Sequence, residues 1–125
     1  MAVKYDIEVY EDGRGRSPLR DYLKELKGKN DNDSRLRLTK IQTYVNLLEE
    51  NGTFLPKTIC KHFSSKKYSW LWELHPGGDR VLFFAWSDGR FVLLHAFEKK
   101  GQKAPESELK QAERECKDWK ERNGK

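Results

Sequence analysis

The stretch LWELHPGGDRVLFFAWSDGRFVLLHAFEKK, residues 71–100, decides the fold of this 125-residue chain. Its apolar residues form three runs, which are separated by the turn sequences HPGGD and SDGR. Asp-Gly between two apolar runs is a strong hairpin signal, because both central residues of a type I′ turn need positive φ. The stretch therefore predicts three consecutive antiparallel strands, at Trp70–Leu74, Arg80–Trp86 and Phe91–Phe97.

The sequence on either side of this stretch has different periodicities. An N-terminal strand is predicted because apolar and charged residues alternate there, the apolar ones being Val3, Tyr5, Ile7 and Val9. A first helix begins at Ser17-Pro18, with serine as N-cap and proline at the first helical position. A second apolar stripe at helical spacing runs over Leu38–Leu48 and stops at Gly52, where we expect a left-handed cap. Pro105 begins a last helix.

These elements predict a single α+β domain over residues 1–125, in the order β-α-α-β-β-β-α. A small, mostly antiparallel sheet would be packed by the N-terminal helical hairpin and by the C-terminal helix. A further, ragged strand is possible at Thr58–Phe63, although the predicted order does not include it.

Composition excludes several functional classes. No run of about 18 apolar residues exists, so no membrane span is predicted, and the polar N-terminus does not resemble a secretory signal. Cys60 and Cys116 are far apart and, like the three histidines, show no metal-ligand spacing. We expect a cytoplasmic protein with two reduced thiols, no metal and no cofactor.

The formal net charge of +5 comes from one segment. Residues 1–55 and 104–125 are each neutral, whereas residues 56–103 carry nine basic and four acidic side chains. Such an excess suits a polyanion binder, because neutralised phosphates supply most sequence-independent affinity. An ordinary solvated surface is the alternative explanation.

Hairpin geometry gathers the charged residues of this segment at one end of the sheet. A two-residue turn at residues 88–89 (Asp88 and Gly89) would pair Ser87 with Arg90. Counting outward from that turn places Arg80 opposite Phe97. The side chains expected to meet at this end are Glu73, His75, Arg80, Glu98, Lys99 and Lys100.

These groups suit RNA cleavage without a metal. That reaction needs a base for the 2′-OH proton, a cation for the pentavalent phosphate and an acid for the leaving 5′-oxygen. A histidine with a pKa of about 6.5 is a better base at neutral pH than a glutamate at about 4.3. His75 is therefore the first candidate base and Glu73 the second. Arg80 could instead form an ion pair with Glu73 or Glu98.

The same block resembles the RelE/HigB toxins, most closely their phage-derived HigB-like branch. The matching motifs are Leu-Trp-Glu-Leu at 71–74, Arg-Val-Leu-Phe at 80–83, Leu-Leu-His-Ala-Phe-Glu-Lys-Lys at 93–100, and Pro105. The resemblance implies a microbial-RNase-like toxin that cleaves mRNA in the ribosomal A site. It also implies a HigA-like helix-turn-helix antitoxin, encoded nearby, that forms a hetero-oligomer with the toxin.

The resemblance also implies roles for particular residues. Arg80 corresponds to an arginine that contacts the scissile phosphate, and Lys99-Lys100 to a basic pair that positions or protonates the leaving group. The predicted catalytic residues are Arg80, Lys100, His75 and Glu73. The predicted RNA-binding residues are Lys99, Lys103, Lys61, Lys66 and Lys67. Leu71 and Glu73 stand where RelE-type relatives carry lysines, and their C-terminal tyrosine is absent, so the general base is not carried over.

Two other functions stay open at this point. A ParE-like toxin would share the fold but poison DNA gyrase, and a plain ribosome- or RNA-binding module would not be an enzyme. A gyrase inhibitor would not need the basic and imidazole cluster that follows residue 60. The tryptophans Trp70, Trp72 and Trp86 could stack on bases but are expected in the core, and His95 is expected to be a hydrogen-bonded core residue.

Overall fold

The computed structural model describes residues 4–87 and 89–124 as a five-stranded sheet and three helices. The elements are β1 (Asp6–Val9), α1 (Pro18–Lys29), α2 (Asn32–Asn51), β2 (Cys60–His62), β3 (Leu71–Leu74), β4 (Asp79–Trp86), β5 (Arg90–Glu98) and α3 (Glu106–Asn123). The mixed α+β class is confirmed. The predicted order is one strand short, because the ragged segment forms β2. The predicted strand residue Val3 lies outside the described residues.

The sheet has the strand order β1-β5-β4-β3-β2. β1 runs parallel to β5, and the other three neighbouring pairs are antiparallel. The central strands β4 and β5 are buried along most of their length, so they read as continuous apolar runs. No helix within the described ranges is long and apolar enough to cross a membrane.

Each face of the sheet has its own core. On one face, apolar residues of α1 and α2, such as Leu19 and Leu48, pack on Phe83 and Leu93. On the other face, the apolar stripe of α3 packs on the alternate residues of β4 and β5. The core positions predicted for the tryptophans are confirmed in part, because Trp70, Trp72 and Trp86 are each partly buried against a core.

Local sequence sets the ends of the helices. The Ser17 hydroxyl accepts a hydrogen bond from the Arg20 amide at 3.2 Å, as predicted for the start of α1. Gly52 ends α2 with φ 62° and ψ −147°, which is a positive-φ conformation but not the left-handed helical cap that we expected. A β-carbon at this position would lie 2.7 Å from the Tyr5 ring. Both the backbone and the close approach of Tyr5 therefore require glycine.

We expect Gly52→Ala to lower the free energy of unfolding by about 2 kcal/mol, because it combines a strained backbone with a clash. Gly28→Ala is the matched control, since Gly28 lies in α1 with open space around its Cα. That change should raise stability by roughly 0.5–1 kcal/mol. Urea denaturation of the two variants measures both effects, and equal stabilities would contradict the strain at Gly52.

The hairpin between β4 and β5 differs from the predicted one. Trp86, not Ser87, pairs with Arg90, so the connection is three residues long; its central residue, Asp88, lies outside the described residues. A β-bulge between Leu82 and Phe83 then shifts the register by one residue. Arg80 consequently does pair with Phe97. The predicted partner is confirmed, although the predicted turn was wrong.

The bulge also turns two successive residues of β5 toward α3. Leu94 lies in the core beneath α3, and the next residue, His95, contacts two carboxylates of that helix. His95 Nδ1 lies 2.7 Å from Glu115 Oε1, and Nε2 lies 2.9 Å from Glu108 Oε1. Burial alone would lower the pKa of His95, but the hydrogen bonds and charges of Glu115 and Glu108 raise it above the usual 6.5. The predicted core role of His95 is confirmed.

This cluster predicts a pH-dependent stability. The pKa of His95 is raised in the folded state, so protonated His95 stabilises the fold. This contribution to the free energy of unfolding is complete below about pH 6.5, the pKa of an unfolded histidine, and is lost as the pH rises through the folded-state pKa. Within that window the free energy of unfolding should fall by about 1.4 kcal/mol per pH unit. We expect His95→Gln to abolish this slope in thermal melts between pH 6 and 9. His62→Gln, at an exposed histidine, is the control and should keep it.

Candidate active site

A pocket of about 120 Å³ lies where β3 ends, β4 begins and β5 ends. It is on the α3 face of the sheet, and the loop that leads to α3, residues 99–105, forms one wall. Seven of the nine predicted site residues line it, namely Lys61, Glu73, His75, Arg80, Lys99, Lys100 and Lys103. The three strand ends thus converge as the hairpin geometry predicted.

Arg80 is the best-fixed cation of the pocket. Its side chain is buried, with 8% of the residue exposed, and Nη1 donates hydrogen bonds of 2.8 Å to the carbonyls of Gly77 and Asp79. No carboxylate of the described residues lies within 4 Å of its guanidinium, so the expected alternative of an ion pair is wrong. Its other N–H groups have no acceptor among the residues that the structure describes, and they are not sealed from solvent. They are available to an anion in the pocket.

Glu73 and His75 form one unit beside Arg80. Glu73 is 5% exposed, and its Oε1 lies 2.6 Å from Nε2 of the partly exposed His75. The His75 amide donates to the Ile59 carbonyl at 2.9 Å, which fixes its backbone. When Nε2–H donates to Glu73, Nδ1 is left as the proton acceptor. The two residues that the sequence ranked as rival bases are therefore hydrogen-bonded to each other, and Glu73 holds the orientation of the His75 ring.

Exposed lysines form the rim of the pocket. Lys61, Lys99, Lys100 and Lys103 are all exposed and line it. The Lys99 amide donates to the Gly78 carbonyl at 2.8 Å, so the start of the 99–105 loop is tied to the β3–β4 turn. Five cationic side chains thus surround one buried carboxylate. Such a concave lining with a large excess of positive charge attracts anions.

Two predicted RNA-binding residues lie outside this pocket. Lys66 and Lys67 are exposed in the loop between β2 and β3, and Lys67 Nζ lies 5.4 Å from the Tyr68 ring centroid. The Tyr68 hydroxyl donates to Glu106 at 2.9 Å, which fastens that loop to the start of α3. Lys66 and Lys67 therefore lie apart from the pocket that Arg80 lines, and their part in RNA binding stays a prediction.

Sequence reasoning missed a buried network behind the site. Asp79 is fully buried, and its carboxylate accepts hydrogen bonds from Arg37 of α2 and Tyr22 of α1. The hydrogen bonds with Asp79 raise the pKa of Arg37, and burial followed by the Asp79 contact raises that of Tyr22. No local pattern indicates these partners, since the three residues belong to three different elements.

The described residues of the pocket do not form a set of metal ligands. Among the residues that the structure describes, no group of three or more His, Cys, Asp or Glu side chains is placed to hold a metal ion. Burial raises the pKa of the Cys60 thiol to about 11 and also raises that of Cys116. Both cysteines are buried and free, and neither lines the pocket.

The fold and pocket define a small α+β protein with an anion-attracting site at one end of its sheet. The family described as "Phage derived protein Gp49-like (DUF891)" matches residues 21–117, and the chain belongs to this family. This membership agrees with the phage-derived character of the resemblance seen in the sequence.

Among solved structures, a copper-bound mutant toxin from Helicobacter pylori is similar at 12% identity and a TM-score of 0.46. The match covers 75% of this chain and 93% of that one. This similarity is too low to bear on function. No curated protein matches the chain.

We expect the pocket, not the charge of the whole segment, to bind polyanions. Lys100→Gln and Lys67→Gln remove the same charge, but only Lys100 lines the pocket. Binding of a short single-stranded RNA should weaken with salt, with a log–log slope of about 0.7 for each phosphate contact. Lys100→Gln should reduce that slope by roughly 0.7, and Lys67→Gln should leave it unchanged. Fluorescence anisotropy at several salt concentrations measures both, and equal losses would contradict this assignment.

Proposed function

We propose that this chain is the toxin of a type II toxin–antitoxin pair and inhibits translation by cutting mRNA on the ribosome without a metal ion. Membership of the Gp49-like family supports the proposal, together with the motifs that resemble RelE/HigB toxins. The observation that carries it is the pocket, where the free N–H groups of Arg80 lie beside an oriented His75 and two lysines. These are the parts that metal-free cleavage of RNA needs.

Each residue has a defined role in the proposed reaction. His75 Nδ1 takes the proton from the 2′-OH, while Glu73 stabilises the imidazolium that forms. The 2′-oxygen attacks phosphorus, and Arg80 holds the non-bridging oxygens as their negative charge increases. The bond from phosphorus to the 5′-oxygen breaks, and Lys100 gives that oxygen a proton. The products are a 2′,3′-cyclic phosphate and a free 5′-hydroxyl.

The shape of the pocket supports dependence on the ribosome. It is small and polar, and among the described residues its lining contains two aromatic rings, the buried phenyl of Phe97 and the partly exposed imidazole of His75. It can hold a phosphate, but it offers a base no stacking surface beyond the His75 imidazole, which is hydrogen-bonded to Glu73. The ribosomal A site would then position the mRNA. Because the mRNA is already held there, less entropy would be lost on reaching the transition state, and the reaction would be faster.

The partners follow from the same proposal. The ribosome and its mRNA are the targets, which places the protein in the cytoplasm. A HigA-like helix-turn-helix antitoxin, encoded nearby, would form a hetero-oligomer with the chain. To neutralise the pocket, it would cover the cationic rim with acidic or apolar segments or displace the elements that position it.

The proposal is tested by induced expression of the wild type, Arg80→Gln and Arg90→Gln in bacteria. Arg90 lies at the other end of β5 and forms a surface ion pair with Glu8, so its variant is a matched control for charge. We expect growth arrest and new mRNA 5′ ends from the wild type and the control. Arg80→Gln should lower cleavage by roughly 100-fold or more.

The outcomes separate the competing functions. Toxicity with intact transcripts and damaged DNA would replace the proposal with gyrase poisoning. Binding to ribosomes without new 5′ ends in any variant would replace it with a non-catalytic binding module. Equal cleavage by Arg80→Gln and wild type would show that the pocket described here is not the active site.

A further inference from the structure

The network around Asp79 lies on the opposite face of the sheet from the pocket. Arg37 donates to both carboxylate oxygens of Asp79, from Nε at 3.0 Å and from Nη2 at 2.7 Å. The Tyr22 hydroxyl donates to the same carboxylate, and Arg37 also donates to that hydroxyl at 3.2 Å. Asp79 is wholly buried. Among the described residues, the side chains that hydrogen-bond to its carboxylate both belong to the helical hairpin.

Backbone carbonyls next to Asp79 hold two of the cationic residues of the pocket, Arg80 and Lys99, by hydrogen bonds. The carbonyls of Gly77 and Asp79 accept the two hydrogen bonds from Arg80 Nη1. The carbonyl between them, of Gly78, accepts the bond from the Lys99 amide. Three successive carbonyls of one turn thus place the guanidinium of Arg80 and the start of the lysine loop.

This turn has little rigidity of its own. It contains Gly77, with φ 68°, and Gly78, and both are exposed. Glycines allow the backbone many conformations, so the local sequence does not fix the directions of the carbonyls. Strand pairing of Asp79 with Glu98 and the hydrogen bond from the Asp79 amide to the Pro76 carbonyl restrain the backbone of the turn. The Asp79 carboxylate adds a side-chain restraint, because it would have to reach water or a proton if Arg37 were lost. Either change would move the turn.

We propose that Arg37 and Tyr22 are positioning residues of the active site, acting through the sheet on Arg80. By holding Asp79 they fix the β3–β4 turn, and the turn aims the guanidinium at the phosphate. The catalytic part of this inference rests on the proposed function, whereas the structural part concerns the order of the Arg80 side chain alone. The helical hairpin is thereby a component of the site although it lies on the other face of the sheet.

The kinetic test compares Arg37→Gln and Tyr22→Phe with Arg35→Gln. Arg35 is an exposed residue of the same helix, and its guanidinium donates hydrogen bonds to Asp31 and Asn32 at the start of α2, so it is the matched control. At saturating programmed ribosomes we expect Arg37→Gln to lower the single-turnover rate by roughly 10- to 100-fold, because the reacting groups are misplaced. Tyr22→Phe should give a smaller loss. Ribosome affinity should stay unchanged in all three, since the exposed lysines are intact.

A second measurement does not depend on cleavage. The Nε–Hε signal of Arg80 in ¹H–¹⁵N spectra, assigned with Arg80→Lys, reports the order of the guanidinium and its response to inorganic phosphate. We expect a broadened or shifted signal and a weaker phosphate response in Arg37→Gln and Tyr22→Phe, but not in Arg35→Gln. Circular dichroism identifies any variant that fails to fold. Tyr22→Phe, which removes a single hydroxyl, decides the test if Arg37→Gln unfolds.

The two proposals fail in different ways. Folded variants with an unchanged Arg80 signal and an unchanged cleavage rate would overturn the positioning role. Loss of rate caused entirely by weaker ribosome binding would also overturn it. If the wild type cuts no mRNA, the proposed function fails, and the spectra still decide whether Arg37 and Tyr22 hold Arg80.

Discussion

The pairing of β4 with β5 is the constraint on which the rest of the structure depends. These two strands form the centre of the sheet, and each is covered on both faces. The bulge between Leu82 and Phe83 changes which residues of β5 face α3. It places His95 under α3 and Phe97 opposite Arg80. The contact of His95 with α3 and the pairing of Phe97 with Arg80 therefore follow from one irregularity in the ladder.

Two buried polar clusters attach the helices to this sheet, one on each face. Arg37 and Tyr22 bind Asp79 beneath the hairpin, while His95 binds two glutamates beneath α3. Burying charge is costly, so such clusters add little net stability compared with apolar packing. Their hydrogen bonds are directional, however, and an apolar stripe alone would allow α2 to slide along the sheet. The clusters thus select one arrangement of the helices among several that would bury similar area.

The site combines two kinds of cation with different physical properties. Arg80 is buried and held by carbonyls, so it can hold charge at a fixed point. The lysines of the rim are exposed and carry their charge on long flexible stems, so they attract and steer an anion without defining its position. Family membership says nothing about which of these groups acts. The chemical assignment depends on the spatial relation of Arg80 to His75 and Glu73.

Sequence reasoning correctly predicted the α+β class, three strands to within one residue, and the start of α1. It reached the right partner for Arg80 from a wrong turn, because a bulge that no local pattern indicates restored the register. The class, the strands and the helix start follow from periodicity, capping and turn chemistry, which act between near neighbours in the chain. Three other features became visible only in the folded chain: β1 lies parallel to β5, Lys66 and Lys67 lie outside the pocket, and Asp79 contacts Arg37. These features depend on segments that are distant in the chain. They are set by which face of the sheet each helix packs on and by which strands are neighbours, and no local sequence pattern specifies either.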